Sequence, residues 1–123
     1  MRASTRPKTR LFRSTCTGRA KPGREDRKVS LHRDDPDTEV AVAVETFNAM
    51  HEEGNIGAFG ASNWTHTRIE EANEYAYKHN LIPFSVSSPN FCLARQVEDP
   101  WGGGCVNISG PENQEARAWY EKN

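Results

Sequence analysis

The feature that most constrains this chain is a strand–helix unit that recurs. Leu31, Gly60 and Val86 stand near the ends of three short runs of apolar or small residues, 29 and 26 residues apart. Strands separated by helices at such intervals lie parallel and are joined by right-handed crossovers. A doubly wound sheet and a barrel both satisfy that rule. No G-x-G-x-x-G follows a strand, so a doubly wound sheet would lack its usual phosphate loop. A closed (β/α)8 barrel takes roughly 250 residues, and this chain has 123. Any barrel here is an incomplete one.

The elements can be placed from local patterns. Val29 to His32 reads as a strand, and the following Arg33-Asp34-Asp35-Pro36-Asp37-Thr38 is rich in turn and capping residues. Glu39 to Glu53 reads as a helix, with Val40, Val44, Phe47 and Met50 at three- and four-residue steps and Gly54 at its C-terminal stop. Ile56 to Ala61 is a strand of small residues closing in Ser62-Asn63. Thr65 is the expected cap of a second helix, whose inner face is Ile69, Ala72 and Ala76, with Glu70 and Glu71 near its positive end and Asn80 at its finish. Phe84 to Ser87 is the third strand, closing in Ser88-Pro89-Asn90. A long loop containing Gly102-Gly103-Gly104 follows, and Pro111 starts a last helix through Trp119 and Tyr120.

The net charge of -1 conceals a split between two segments. Residues 1–28 carry ten Lys and Arg against Glu25 and Asp26, a balance of +8, whereas residues 29–123 carry six bases and fifteen acids, a balance of -9. Residues 1–27 show neither strand alternation nor a helical apolar stripe, and Leu11 and Phe12 are their large apolar residues. They read as a disordered basic arm. A transit peptide, an arm for nucleic acid or another anionic partner, and sequence foreign to the fold all account for it; the last is favoured, as from a frame error or a partial reading frame. The domains are therefore a basic arm over residues 1–27 and a partial barrel over residues 28–123.

Hydrophobic residues make up 35% of the chain, which limits it to a modest core. No apolar run reaches the ~20 residues of a membrane span. Cys16, Cys92 and Cys105 are odd in number and form no C-x-x-C. Buried or inert thiols in a reducing, cytoplasmic setting are expected, with no metal site. Asp34, Asp35 and Asp37 suit turn and capping duty better than a cation site. His51, His66 and His79 fall on helix surfaces or caps, without ligand spacing. Trp101 and Trp119 are expected to pack. Asn107-Ile108-Ser109 matches a glycosylation pattern, though nothing else points to secretion.

In a parallel barrel, chemistry is built at the carboxyl ends of the strands. All three ends here are polar: His32, then Ser62-Asn63, then Ser88 and Asn90. Three such ends in a row point to one shared site.

On three motifs the sequence resembles the aldo-keto reductase family. They are Leu31-His32-Arg33-Asp34-Asp35-Pro36, Phe59-Gly60-Ala61-Ser62-Asn63-Trp64 and Ser87-Ser88-Pro89-Asn90-Phe91, in order and at barrel spacing; Gln96 to Gly102 is similar to a subset of bacterial members. The resemblance spans residues 29–123 and corresponds to strands four to six of eight. It implies an α/β chain that is a (β/α)8 TIM barrel fragment of three consecutive βα units. It also implies hydride transfer between NADP(H), less often NAD(H), and an aldehyde or ketone. His32 then matches the histidine that donates to the substrate carbonyl, and Ser62 and Asn63 the pair that holds the nicotinamide carboxamide. Ser88 takes the place of a glutamine that makes a further carboxamide contact, and its side chain is shorter. The family's proton donor is a tyrosine tuned by a lysine and an aspartate, all preceding the histidine. Here no tyrosine precedes Tyr75, and Asp26 and Lys28 lie too close to His32 to be that pair. The resemblance thus implies an oxidoreductase fragment inactive as an isolated chain. Open sheet edges would favour self-association or pairing with a complementing fragment.

Overall fold

A computed structural model describes residues 27–123. The basic segment, with Cys16, lies outside the described residues. The elements run β1 (Lys28–Leu31), α1 (Val40–Glu52), β2 (Ala58–Ser62), α2 (His66–Lys78), β3 (Val86–Ser88), a 3-10 turn (Pro111–Asn113) and α3 (Gln114–Lys122). The three strands form one parallel sheet in the order β1-β2-β3. The expected α/β repeat is therefore present, with strand limits moved by one or two residues. Leu31 pairs with Ala61, and Ser62 with Ser88, so the strand ends are level with one another.

The helices begin and end for local reasons. Glu39 is extended and precedes α1, while Gly54, at φ 72, takes the left-handed position that ends it. Thr65 caps α2 by accepting from the Arg68 N–H. The first turn of α2 holds no acid. Glu70 and Glu71 sit a turn later than the sequence suggested, and Glu71 pairs with Arg68 at 3.2 Å instead. Asn80, at φ 55, turns the chain out of the helix.

The core lies between the sheet and the helices. Val40, Val44 and Phe47 of α1, Phe59 and Ala61 of β2, and Ile69, Ala72 and Ala76 of α2 are all buried. Phe59 is its centre: Phe47 stacks on it at 5.2 Å and Phe84 meets it edge-on at 6.0 Å, with Trp64 against Phe84 at 5.5 Å. Offset and edge-to-face pairs of this kind add to the burial energy. α3 closes the third unit, packing Trp119 beside the His66 ring and bonding Tyr120 to Ser87 at 2.8 Å. Trp119 packs as expected, but Trp101 does not; it is 53% exposed in the glycine-rich loop. Cys92 is likewise exposed, and it and Cys105 are free thiols. Asn107 is half-buried, and its amide nitrogen donates to Gln96 at 2.6 Å.

Two polar ties join the helices to their surroundings. The Tyr75 phenol donates to the Glu45 carboxylate, and that acceptor pushes the Tyr75 pKa upward. Asn48, buried on α1, is the stronger tie. Its side chain donates to the Ile82 carbonyl at 3.0 Å and accepts from the Ile82 N–H at 2.8 Å. One amide thus satisfies both backbone groups of the residue leading toward β3. Asn48→Ala leaves those groups without partners, and each costs about 1–3 kcal/mol when buried. Because Ile82 is partly exposed, a total loss of about 2 kcal/mol is expected in urea unfolding.

Candidate functional site

The carboxyl ends of the strands meet at Asn63. Its backbone adopts φ 58, a left-handed conformation that asparagine tolerates better than most residues. That turn directs the side chain across the neighbouring ends. Nδ2 donates to the His32 carbonyl at 3.1 Å and to Ser62 Oγ at 3.3 Å, while the Asn63 N–H donates to the Ser88 carbonyl at 3.3 Å. Ser62 Oγ donates to the same Ser88 carbonyl at 3.1 Å. Four residues singled out from the sequence, His32, Ser62, Asn63 and Ser88, are therefore joined by one hydrogen-bond cluster. His32 enters it through its main chain. Its side chain is exposed, and so is that of Ser88.

Asn90, the fifth polar strand-end residue, is drawn into a different group. It bridges to Asn107, and both amides donate to Gln96 Oε1, at 3.2 and 2.6 Å. This group fixes the long loop after β3, and the loop returns to the site. The Val106 N–H donates to Asn63 Oδ1 at 3.2 Å, and Arg33 donates to the Gly103 carbonyl at 3.4 Å. The positive φ values of Gly102, Gly103 and Gly104 let the chain make that return. The glycine run thus brings a loop back over the ends of β1 and β2.

Arg68 is the residue the sequence reading missed. Its guanidinium pairs with Asp34 at 3.2 Å, donates to the Asp35 and Thr38 carbonyls and lies over the Trp64 ring at 5.4 Å. It pins the segment that follows His32 to the start of α2. Asp35 completes that segment by accepting from the Asp37 N–H and the Thr38 hydroxyl, so the Asp35 carboxylate serves the turn, while that of Asp34 goes to Arg68. The signal was Arg68 standing three residues after the cap Thr65, but Asp34, Asp35 and Thr38, which it holds, are 30 or more residues away in sequence. Beside Asn63 a cleft of about 520 Å³ opens between Asp34, Thr65, Arg68 and Cys105. Asn63 lines it, whereas His32 and Ser88 do not. Among the described residues no group of three His, Cys, Asp or Glu could hold a metal ion.

The sequence model of the aldo/keto reductase family matches residues 26–100. That is more than half of the chain. The chain belongs to the aldo/keto reductase family. No curated protein and no solved structure gave a match to it. The family match begins two residues before β1 and ends in the loop before Trp101. It covers all three strands of the aldo/keto reductase sheet and His32, Ser62, Asn63 and Ser88. Membership places the chain in an oxidoreductase family, and no helix among the described residues is long and apolar enough to cross a membrane.

Proposed function

We propose that the chain carries the substrate-orienting and nicotinamide-holding part of an NADP(H)-dependent aldo-keto reductase that reduces aldehydes or ketones, with NAD(H) the less favoured cofactor. The three βα units are then a segment of a (β/α)8 barrel, working in the cytoplasm. One observation carries the reading: in a member of this family, His32, Ser62, Asn63 and Ser88 meet at the carboxyl ends of parallel strands.

The donors and acceptors present suit a nicotinamide carboxamide, which offers one carbonyl oxygen and one NH2 group. The Ser88 hydroxyl is exposed and, among the described residues, has no hydrogen-bond partner, so it can donate to that oxygen. Among the described residues Asn63 Oδ1 accepts a single hydrogen bond, from Val106, and an amide oxygen has a second lone pair for the NH2 group. The Asn63 Nδ2 hydrogens are already given to His32 and Ser62. In this chain Asn63 therefore serves as an acceptor and as the clasp of the strand ends. The cofactor supplies the hydride. His32 donates from its exposed imidazole to the substrate oxygen, on which negative charge grows as hydride arrives. Asn63 holds the His32 carbonyl and so limits where that imidazole can point.

The test is an NMR titration of the full chain with NADPH, and in parallel with reduced nicotinamide mononucleotide. The side-chain amide of Asn63 and the backbone amides of Ser62 and Ser88 are expected to shift with both. Ser88→Ala should weaken the effect about tenfold, roughly one hydrogen bond, while leaving the fold intact. Signals that stay in place at saturating cofactor would remove the nicotinamide assignment.

A further inference from the structure

The loop after β3 is pinned at two points and stands clear between them. At one end Gln96 Oε1 accepts from the Asn90 and Asn107 amides. At the other, the Val106 carbonyl accepts from the Asn90 N–H at 2.8 Å, and the Val106 N–H donates to Asn63. Asn90 thus holds both ends, and residues 97–105 leave and return at one place, as an Ω-loop does. The loop is also clasped from within. Asp99 accepts from the Trp101 N–H at 2.9 Å and from the Gly103 N–H. Among the described residues, its one hydrogen bond to the rest of the chain is the donation from Arg33 to the Gly103 carbonyl. A Cβ at Gly102 or Gly103 would meet nothing within 4 Å, so the space beside them is open. A segment with pinned ends, an internal clasp and one outer hydrogen bond moves as a body at low cost.

That outer bond lies beside the strand-end cluster. Arg33 directly follows His32, and Trp101 stands two residues from Gly103, a span of at most about 7 Å along the chain. Trp101 is 53% exposed and Val97, at the start of the loop, is 90% exposed. Neither belongs to the core. The family match stops at residue 100, one short of Trp101. An indole kept out of the core on a loop at the carboxyl ends of the strands offers a flat apolar face for a ligand.

We propose that residues 97–105 are a lid over the strand ends, latched by Arg33, and that Trp101 is its specificity-determining residue. The inference rests on the assignment of His32 and Asn63 to carbonyl and nicotinamide, and it adds a substrate class. Ketones and aldehydes with an aromatic ring beside the carbonyl are taken in preference to small aliphatic ones. The carbonyl oxygen goes to His32, and the ring stacks on the Trp101 indole as the lid closes.

The full chain saturated with NADP+ tests this by NMR, because the oxidised cofactor fills the site and has no hydride to give a ketone. The indole nitrogens of Trp64 and Trp119 are buried. The Trp101 indole N–H is therefore the one open to a soluble gadolinium chelate, and Trp101→Phe identifies its signal. Acetophenone is expected to reduce the paramagnetic broadening of that N–H several-fold, and acetone at the same concentration is not. Acetophenone should also shift the Ser62 and Ser88 amides at about tenfold lower concentration than acetone, the worth of one aromatic pair, and Trp101→Leu should remove that difference. Arg33→Ala should raise the mobility of the Trp101 and Gly103 amides in backbone relaxation and leave Gln96 and Val106 unchanged; unaltered mobility overturns the latch. Equal broadening with either ketone, when NADP+ itself has shifted the Ser62 and Ser88 amides, overturns the lid and leaves the nicotinamide assignment standing. If NADP+ shifts neither amide, that assignment falls and the lid falls with it.

Discussion

Gly60→Ala is expected to destabilise the sheet by about 3 kcal/mol or more, at or beyond the upper end of overpacking costs. A Cβ at Gly60 would lie 1.8 Å from the Val86 carbonyl oxygen, 2.6 Å from its carbon and 2.9 Å from its Cα. All three atoms are backbone, so no rotamer change relieves the clash. Relief requires β2 and β3 to separate where Gly60 pairs with Val86, and that opens the Ser62–Ser88 pairing two residues on. The loss should appear as a lower urea midpoint with an unchanged slope. It should also weaken the Ser62 and Asn63 contacts to the Ser88 carbonyl. Gly54→Ala is the control. Gly54 has nothing within 4 Å but has a positive φ, so only its backbone strain of about 1 kcal/mol is expected. Equal losses at the two positions would show that close approach of the strands is not what requires glycine at 60.

The second large effect concerns turnover. The isolated chain is expected to reduce no carbonyl above background, because no tyrosine precedes His32 to serve as the acid. General acid catalysis contributes about 10²–10⁴-fold. A chimera tests the assignment: residues 27–100 replace the corresponding segment of a complete aldo-keto reductase, which supplies the tyrosine, lysine and aspartate. With the fold checked by circular dichroism, the chimera should reduce aldehydes with NADPH. His32→Ala in the chimera should then lower kcat by about 10²-fold, the loss seen for one donor to a developing oxyanion, with little change in KM for NADPH. A chimera that turns over equally well without His32 would remove the orienting role. One that binds NADPH but does not discriminate Ser88→Ala from the parent would remove the carboxamide contact.

Much of the architecture was legible before any coordinates. The three- and four-residue steps of Val40, Val44 and Phe47 and of Ile69, Ala72 and Ala76 fixed which helix faces are buried. Thr65 and Gly54 marked a cap and a stop because their roles depend on neighbours within four residues. The strand limits were less exact. Ile56 and Phe84 are buried as the strand pattern required, yet both lie outside the ladders. Burial alone does not distinguish a strand residue from a loop residue tucked beneath a helix.

The candidate site divides along the same line. That His32, Ser62, Asn63 and Ser88 converge was legible because strand ends in a parallel sheet meet whatever the loops do, and the pairing of Leu31 with Ala61 and of Ser62 with Ser88 keeps those ends level. Trp101 was misjudged because a large aromatic side chain packs only if the chain around it returns to the core, and its loop does not.

The sequence by itself determined the parallel α/β repeat, the buried helix faces and which polar residues stand at the strand ends, since all of these follow from local periodicity and strand order. Only the tertiary structure decided that Asn63 clasps three strand ends, that Val106 and Gly103 return to Asn63 and Arg33, and that Arg68 pins the turn after His32. The contacts that join different strands and loops span 25 or more positions, and only the packed fold sets the distance between them.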